Sequence, residues 1–171
     1  MPGLDAEALM RLLGLQPLPR EGGFYAETYR AALTLPAPAL PAAYAGARSA
    51  ATAIYYLLTP GTASTLHRLP GDEVYHFYLG DPVTLLLLPP DGPGETRVLG
   101  PDLAGGMHVQ TVVPGGVWQG SRLRPGGAFA LLGTTMAPGF DFADFEAADG
   151  PALRARHPVF AELIEALTPP C

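Results

Sequence analysis

Lysine and asparagine are absent from all 171 residues, and cysteine occurs once, as Cys171. Without lysine, Schiff-base catalysis and a lysine-anchored pyridoxal phosphate are excluded. Without asparagine there is no N-glycosylation acceptor. A single thiol can neither close an internal disulfide nor build a thiolate zinc site. Serine is confined to Ser49, Ser64 and Ser121, none of them in a G-x-S-x-G elbow, which argues against a serine hydrolase. The sequence also lacks an apolar run of membrane-span length, and its start, "MPGLDAEALMRLL", carries acids in place of a basic leader. A cytoplasmic protein without signal peptide or membrane span is therefore expected. Ten arginines face sixteen acids, for a net charge of −6, and no run of like charge stands out. Nucleic acid and anionic membrane, which need clustered basic residues, are not expected partners.

Hydrophobic residues make up 48% of the chain, enough for one domain spanning 1–171 around a sizeable core. "DAEALMRLLG" reads as a short amphipathic helix capped by Asp5, with Leu9, Leu12 and Leu13 on its apolar side and Gly14 ending it. "GGFYAETYR" predicts a strand from about Phe24 to Arg30, and "LPAPALPAAYAGA" a surface loop. From Ala50 onward, short strand-like segments alternate with turns rich in the 21 glycines and 20 prolines. That spacing indicates an all-β sandwich or barrel. "HPVFAELIEALT" closes the chain as an amphipathic helix, with Phe160, Leu163, Ile164 and Leu167 on one side. Thr84–Leu88, "TLLLL", is apolar on both faces, so both must be covered. A second copy of the chain is favoured over the terminal helices alone as cover for the outer face, and hence a homodimer is expected.

The chemistry-bearing stretch is "GTASTLHRLPGDEVYHFYLG", Gly61–Gly80, followed by "VVPGGVWQG". The two resemble the signature motifs of the cupin superfamily, G-x5-H-x-H-x3-E-x6-G and P-x-G-x2-H. Gly61, His67, Glu73 and Gly80 fall at matching positions, and Leu69 stands where the second histidine would be. Pro114 and Gly116 match the second motif, with Gln119 replacing its histidine. The segments "GGFYAETYR", "AIYYLL", "DEVYHFYLGDP", "PGGVWQ" and "APGFDFADF", in this order, resemble a subfamily of small cupins of unassigned function. The resemblance covers Gly22 to about Leu167. It implies an all-β double-stranded β-helix, or jelly-roll barrel, and commonly a homodimer; the helical segments read above would flank the barrel as short N- and C-terminal helices.

On a strand, residues i and i+2 share a face, so an H-x-H pair places two imidazoles inside a barrel. Here Leu69 replaces one nitrogen donor with a hydrocarbon wall. The remaining set, His67, Glu73 and Gln119, is poor for Zn²⁺ and short of the two-His-one-carboxylate set for Fe(II). No cofactor is predicted; a divalent metal on those three residues is the less favoured alternative. His76 lies on the opposite strand face from Glu73 unless a bulge intervenes. The catalytic candidates are His67 as base, Glu73 as its carboxylate partner and Tyr75 as acid. Ligand-binding candidates are Tyr55, Phe77, His76 and Gln119. Trp118 is assigned to packing, His108 and His157 to structural or exposed positions, and Asp141 and Asp144 to turns and caps. The expected function is a metal-independent isomerase- or epimerase-like enzyme on a sugar-like or carbonyl compound. The alternatives are a non-catalytic binding module for a small ligand and a metal-dependent cupin with a reduced ligand set.

Overall fold

The computed structural model describes residues 4–168, so Cys171 lies outside the described residues. In chain order the elements are α1 (Ala6–Leu13), β1 (Gln16–Pro17), β2 (Phe24–Arg30), β3 (Thr34–Leu35), β4 (Arg48–Ser49), β5 (Thr52–Leu58), β6 (Ala63–Arg68), β7 (Glu73–Gly80), β8 (Val83–Leu88), β9 (Glu95–Leu99), β10 (Gln110–Val113), β11 (Trp118–Leu123), β12 (Ala130–Met136), β13 (Glu146–Ala147), α2 (Gly150–Arg156) and α3 (Ala161–Ala166). Helix α1 begins where the Asp5 carboxylate accepts the Ala8 N–H at 2.7 Å and ends at Gly14, whose φ of 64° suits glycine. Of its leucines only Leu9 is buried; Leu12, expected on the apolar side, is 72% exposed.

Two antiparallel sheets face each other, in the orders β1-β2-β5-β12-β7-β10 and β13-β6-β11-β8-β9. The Pro/Ala stretch is not wholly irregular: β3 and β4, at its two ends, pair with each other. Between the sheets lies the main core, where Tyr56, Tyr75, Phe77, Leu85, Leu87 and Leu132 meet. Strand parity follows from the register. On β7, Glu73, Tyr75 and Phe77 point inward, while Val74 and His76 point outward. The extra residue of a bulge falls after Phe77, so it leaves the parity of His76 unchanged.

The outer face of β8 is covered by the chain itself. Leu86 and Leu88, both 0% exposed, pack with Leu66 against Leu153, Ile164 and Leu167. The apolar strip Thr84–Leu88 therefore gives no argument for a second copy of the chain. Toward the C-terminus sequence periodicity marks one helical segment; α2, which supplies Leu153, precedes it, and a 3₁₀ turn at Pro158–Phe160 leads into α3. The outer face of the six-stranded sheet is different. Helix α1 packs Leu9 over Leu57 and Leu131 at one end. Beyond it Tyr29, Tyr78 and Val112 are 56%, 49% and 43% exposed. None of the outward residues Tyr29, Ala53, Tyr55, Val74, His76, Tyr78, Gln110, Val112 and Thr135 is an acid, arginine or lysine.

Candidate functional site

Two turns position the site. The turn before β7 and the Pro114–Gly116 turn before β11 lie against each other: Gly116 N–H donates to the Leu69 carbonyl at 2.8 Å, and Gly115 N–H to the Asp72 carboxylate at 2.9 Å. A Cβ on Gly115 would come within 2.3 Å of the Pro70 carbonyl oxygen, and Gly116 has φ of 82°. Glycine is thus required at 115 by backbone approach and at the motif position 116 by its positive φ. This contact sets the starts of β7 and β11, and with them Glu73 and Gln119.

Strand pairing places Gln119 directly beside His67. Gln119 Nε2 donates to Glu73 Oε2 at 2.8 Å, within the buried interior. His67 is fully buried and donates Nδ1–H to the Thr65 carbonyl at 2.7 Å, since a carbonyl can only accept. Its Nε2 has no protein partner. Its ring stacks on Phe145 at 4.9 Å. Burial lowers the His67 pKa, against the opposing pull of the Glu73 charge and the Thr65 hydrogen bond, so the ring is neutral and Nε2 carries a lone pair. Three further buried atoms lack partners: Tyr75 Oη, Gln119 Oε1 and Ser121 Oγ.

A second carboxylate joins this set from the turn between β1 and β2. Glu21 accepts a 2.7 Å hydrogen bond from Ser64 Oγ, and its backbone carbonyl accepts from Thr65 N–H at 2.8 Å. Burial pushes both Glu21 and Glu73 up to about 7; for Glu73 the Glu21 charge adds to the rise, and His67, Thr134 and Gln119 oppose it. Tyr56 and Tyr75 are raised well above 10 by burial, so both stay protonated. Glu21 and Glu73 line a cavity of about 310 Å³, whose apolar wall includes Tyr25, Leu69, Phe140 and Phe142. That volume sits at the lower end for small-molecule sites.

Several sequence expectations meet here. His67, Glu73, Tyr75 and Gln119 all point into the barrel, but of the four only Glu73 is a cavity wall; His67, Tyr75 and Gln119 are buried behind it. Glu73 takes Gln119 as its hydrogen-bond partner, where His67 is the expected one; its link to His67 is electrostatic. Phe77 belongs to the core below, not to the cavity wall. Tyr55 is on the outer face, packed with Leu57 and Leu131 under α1, and its neighbour Tyr56 faces inward. His76 is also outside, stacked on Tyr78 and hydrogen-bonded to Thr135 Oγ1 at 3.1 Å. Asp141 caps the 3₁₀ turn Phe142–Asp144 as expected, but Asp144 forms a buried bidentate pair with Arg48, at 2.7 Å from Nε. Trp118 packs on the outer core, with Arg68 over its ring at 4.6 Å. Glu21 and Tyr25 were missed. Glu21 sits in an aperiodic turn, and its partner Ser64 is 43 residues away.

Metal-binding potential is limited by the donors. His67 Nε2, Glu73 and Gln119 Oε1 offer one imidazole, one carboxylate and one amide oxygen, and Leu69, 3% exposed, fills the place of a second imidazole. Among the described residues no three His, Cys, Asp or Glu side chains gather as a metal-holding group. The set fits neither Zn²⁺ nor Fe(II) well.

An uncharacterized protein of Saccharomyces cerevisiae is 33% identical over 133 residues, 73% of this chain, and the match spans 66% of the yeast protein's length. A crystal structure of a Shewanella oneidensis protein is 34% identical, with a TM-score of 0.85 over 99% of this chain and 100% of that one. A hypothetical protein from Leishmania major is 30% identical, with a TM-score of 0.85 over 96% and 99% of the two chains. The names of these three state no activity. Oxalate decarboxylase from Bacillus subtilis, 15% identical with a TM-score of 0.52 over 90% of this chain and 37% of its own, is alike in fold alone. Residues 7–148 match the family described as cupin superfamily (DUF985), and to that family this chain belongs.

Proposed function

We propose that the barrel houses a metal-independent proton-transfer site, isomerase- or epimerase-like, for a sugar-like or carbonyl compound. The observation that carries this reading is the set of unpartnered buried polar atoms around Glu73, above all the His67 Nε2 lone pair. Each such atom costs about 1–3 kcal/mol in a closed core, so a core built for packing alone would avoid them. Isomerisation of a carbonyl compound uses them. A base removes the proton on the carbon next to the carbonyl, and an acid protonates the carbonyl oxygen. The enediol collapses by the reverse transfers at the exchanged positions, leaving both groups as they began. The site needs one ionised and one protonated group at neutral pH, which two carboxyls near 7 supply. The sequence pattern assigned the base to His67. The cavity wall favours Glu73 as the group that meets the substrate, with neutral His67 behind it as proton acceptor and Glu21 as acid in place of Tyr75, which does not reach the wall.

The test is solvent exchange. Incubated in D₂O with a panel of ketoses and aldoses, the protein should place deuterium next to the carbonyl of its substrate, detected by NMR. Glu73→Gln should abolish exchange while leaving ligand affinity within about tenfold. Binding without exchange across the panel would favour the second reading, a non-catalytic ligand-binding cupin, for which a shaped cavity suffices.

The homodimer is proposed on a different surface from the one the sequence suggested. The uncharged outer face of the six-stranded sheet, with exposed Tyr29, Tyr78 and Val112, supports it. A cytoplasmic location is proposed from the scarcity of cysteine; among the described residues no helix is long and apolar enough to cross a membrane.

A further inference from the structure

We propose that the cavity selects a cation: its ligand is a small amine-bearing compound whose ammonium group lies against Glu21 and Glu73 and whose apolar body rests on Tyr25, Phe140 and Phe142. The inference rests on the proton-transfer reading of the same site and narrows its substrate class to carbonyl compounds that carry an amine.

The charge inventory of the wall is one-sided. Glu21, Glu27, Glu73 and Asp141 line it, against one cationic side chain, Arg30. That guanidinium is already engaged: Nε and Nη2 donate to the two Glu27 oxygens at 2.9 and 2.7 Å, and Nη2 also reaches the Phe140 carbonyl at 3.3 Å. Arg30 and Glu27 thus cancel. Asp141 is held at the rim by the Ala143 N–H. Glu21 and Glu73 each have a neutral donor, Ser64 and Gln119, and no cation within hydrogen-bond reach. A carboxylate or phosphate ligand would enter against like charges with no free partner, an arrangement that costs several kcal/mol across a desolvated contact.

A second observation points the same way. Gln119, 1% exposed, turns its amide nitrogen to Glu73 and leaves Oε1, an acceptor, unpartnered beside it. His67 Nε2 is a further unpartnered lone pair, fully buried. Neither residue lines the cavity itself; they make the interior behind Glu73 rich in acceptors and leave it without a cation, and an ammonium group at Glu73 brings N–H donors and the compensating charge. The walls suit the rest of such a ligand. Phe140 and Phe142 meet edge to face at 5.0 Å, and with Tyr25 they offer aromatic surface to a cationic guest.

The probes are two trios of fixed body and varied charge: phenethylamine, phenylethanol and phenylacetate; glucosamine, glucose and glucuronate. Affinities for the intact protein are measured by titration calorimetry at neutral pH and low salt. The amine should bind best in at least one trio, about tenfold or more tighter than the neutral member, and the anion should not bind. Glu73→Gln should weaken the amine about tenfold, Glu21→Gln should weaken it by less because that carboxyl is the protonated member of the pair, and both should weaken the neutral compound less than the amine. Equal affinity across both trios, preference for an anion, or no binding by any member up to its solubility limit would overturn the proposal. If the glutamine variants fail to fold, the order within the trios on the parent protein decides. Amine selectivity without deuterium exchange in any amino-carbonyl compound would sink the proton-transfer reading and leave this one standing. Exchange in neutral sugars without amine preference would do the opposite.

Discussion

Replacing Glu73 with glutamine should stabilise the protein in mildly alkaline solution while removing its proposed chemistry. Burial raises the Glu73 carboxyl from 4.5 to about 7. Between those values the native state holds a proton that the unfolded chain has released. Native stability therefore falls as pH rises through this window, and the full penalty is present above about pH 7. At about 1.4 kcal/mol per unit the penalty is of order 3 kcal/mol. Glutamine has nearly the same shape, does not ionise, and can still accept the hydrogen from Gln119 Nε2. Glu73→Gln should recover most of the penalty at pH 8 and almost none near pH 4.5. For a chain of this size that is a rise in Tm of roughly 6–12 °C. His67 acts in the opposite sense: its lowered pKa means that stability falls as pH drops below 6.5. Subtracting parent from variant at each pH cancels that contribution to first order. Thermal unfolding followed by circular dichroism across pH 4.5–8 gives the difference curve. A variant that melts at or below the parent at pH 8, or a difference independent of pH, would refute a buried, destabilised Glu73.

Asp144→Ala should cost about 3–5 kcal/mol in urea unfolding, because it strands the buried Arg48 guanidinium; replacing both partners with leucine should recover much of the loss. Ile164→Ala, under the outer face of β8, should cost about 2–5 kcal/mol by the same measurement. Leu69→His restores a second imidazole beside His67 and Glu73 and should raise Zn²⁺ retained after gel filtration toward one equivalent, where the parent keeps far less. Tyr78→Arg puts a charge on the uncharged sheet face and should shift a dimer to monomer in light scattering; a parent already monomeric at micromolar concentration would remove the dimer proposal.

Strand positions were legible because each segment has its own turn punctuation, and the inward set His67, Glu73, Tyr75 and Gln119 was legible because motif spacing fixes parity. Tyr55 was misplaced for a physical reason. "AIYYLL" is apolar at every position, since β5 is covered by core on one side and α1 on the other, and such a run carries no phase. The strip Thr84–Leu88 was correctly read as covered on both faces, but the cover is α2 and α3. Helix α2 is short and contains a proline, so its periodicity is weak. Glu21 was beyond reach: a charged residue in a glycine-flanked turn is ordinarily solvated, and only the docking of that turn on β6 brings it to Ser64. Asp144 likewise looked like a turn residue until its partner, 96 positions earlier, came into view.

The turn that carries Glu21 is fastened from outside itself. Tyr56 Oη donates to the Gly22 carbonyl at 3.0 Å, Thr65 Oγ1 to the Arg20 carbonyl at 3.1 Å, and a Cβ on Gly22 would meet the Ala63 carbonyl oxygen at 2.5 Å. Arg20 is held at φ of 66°. Half of the carboxyl pair is thus delivered by a detachable clasp, while the other half is woven into β7. The two can change independently. Substitution of Glu21 with the turn backbone kept would alter the charge, the acidity and the guest of the cavity, whereas Gly22 and Gly23 are fixed by their contacts with Ala63 and Tyr56. In a laboratory lineage, new specificities of this scaffold should accumulate first at Glu21.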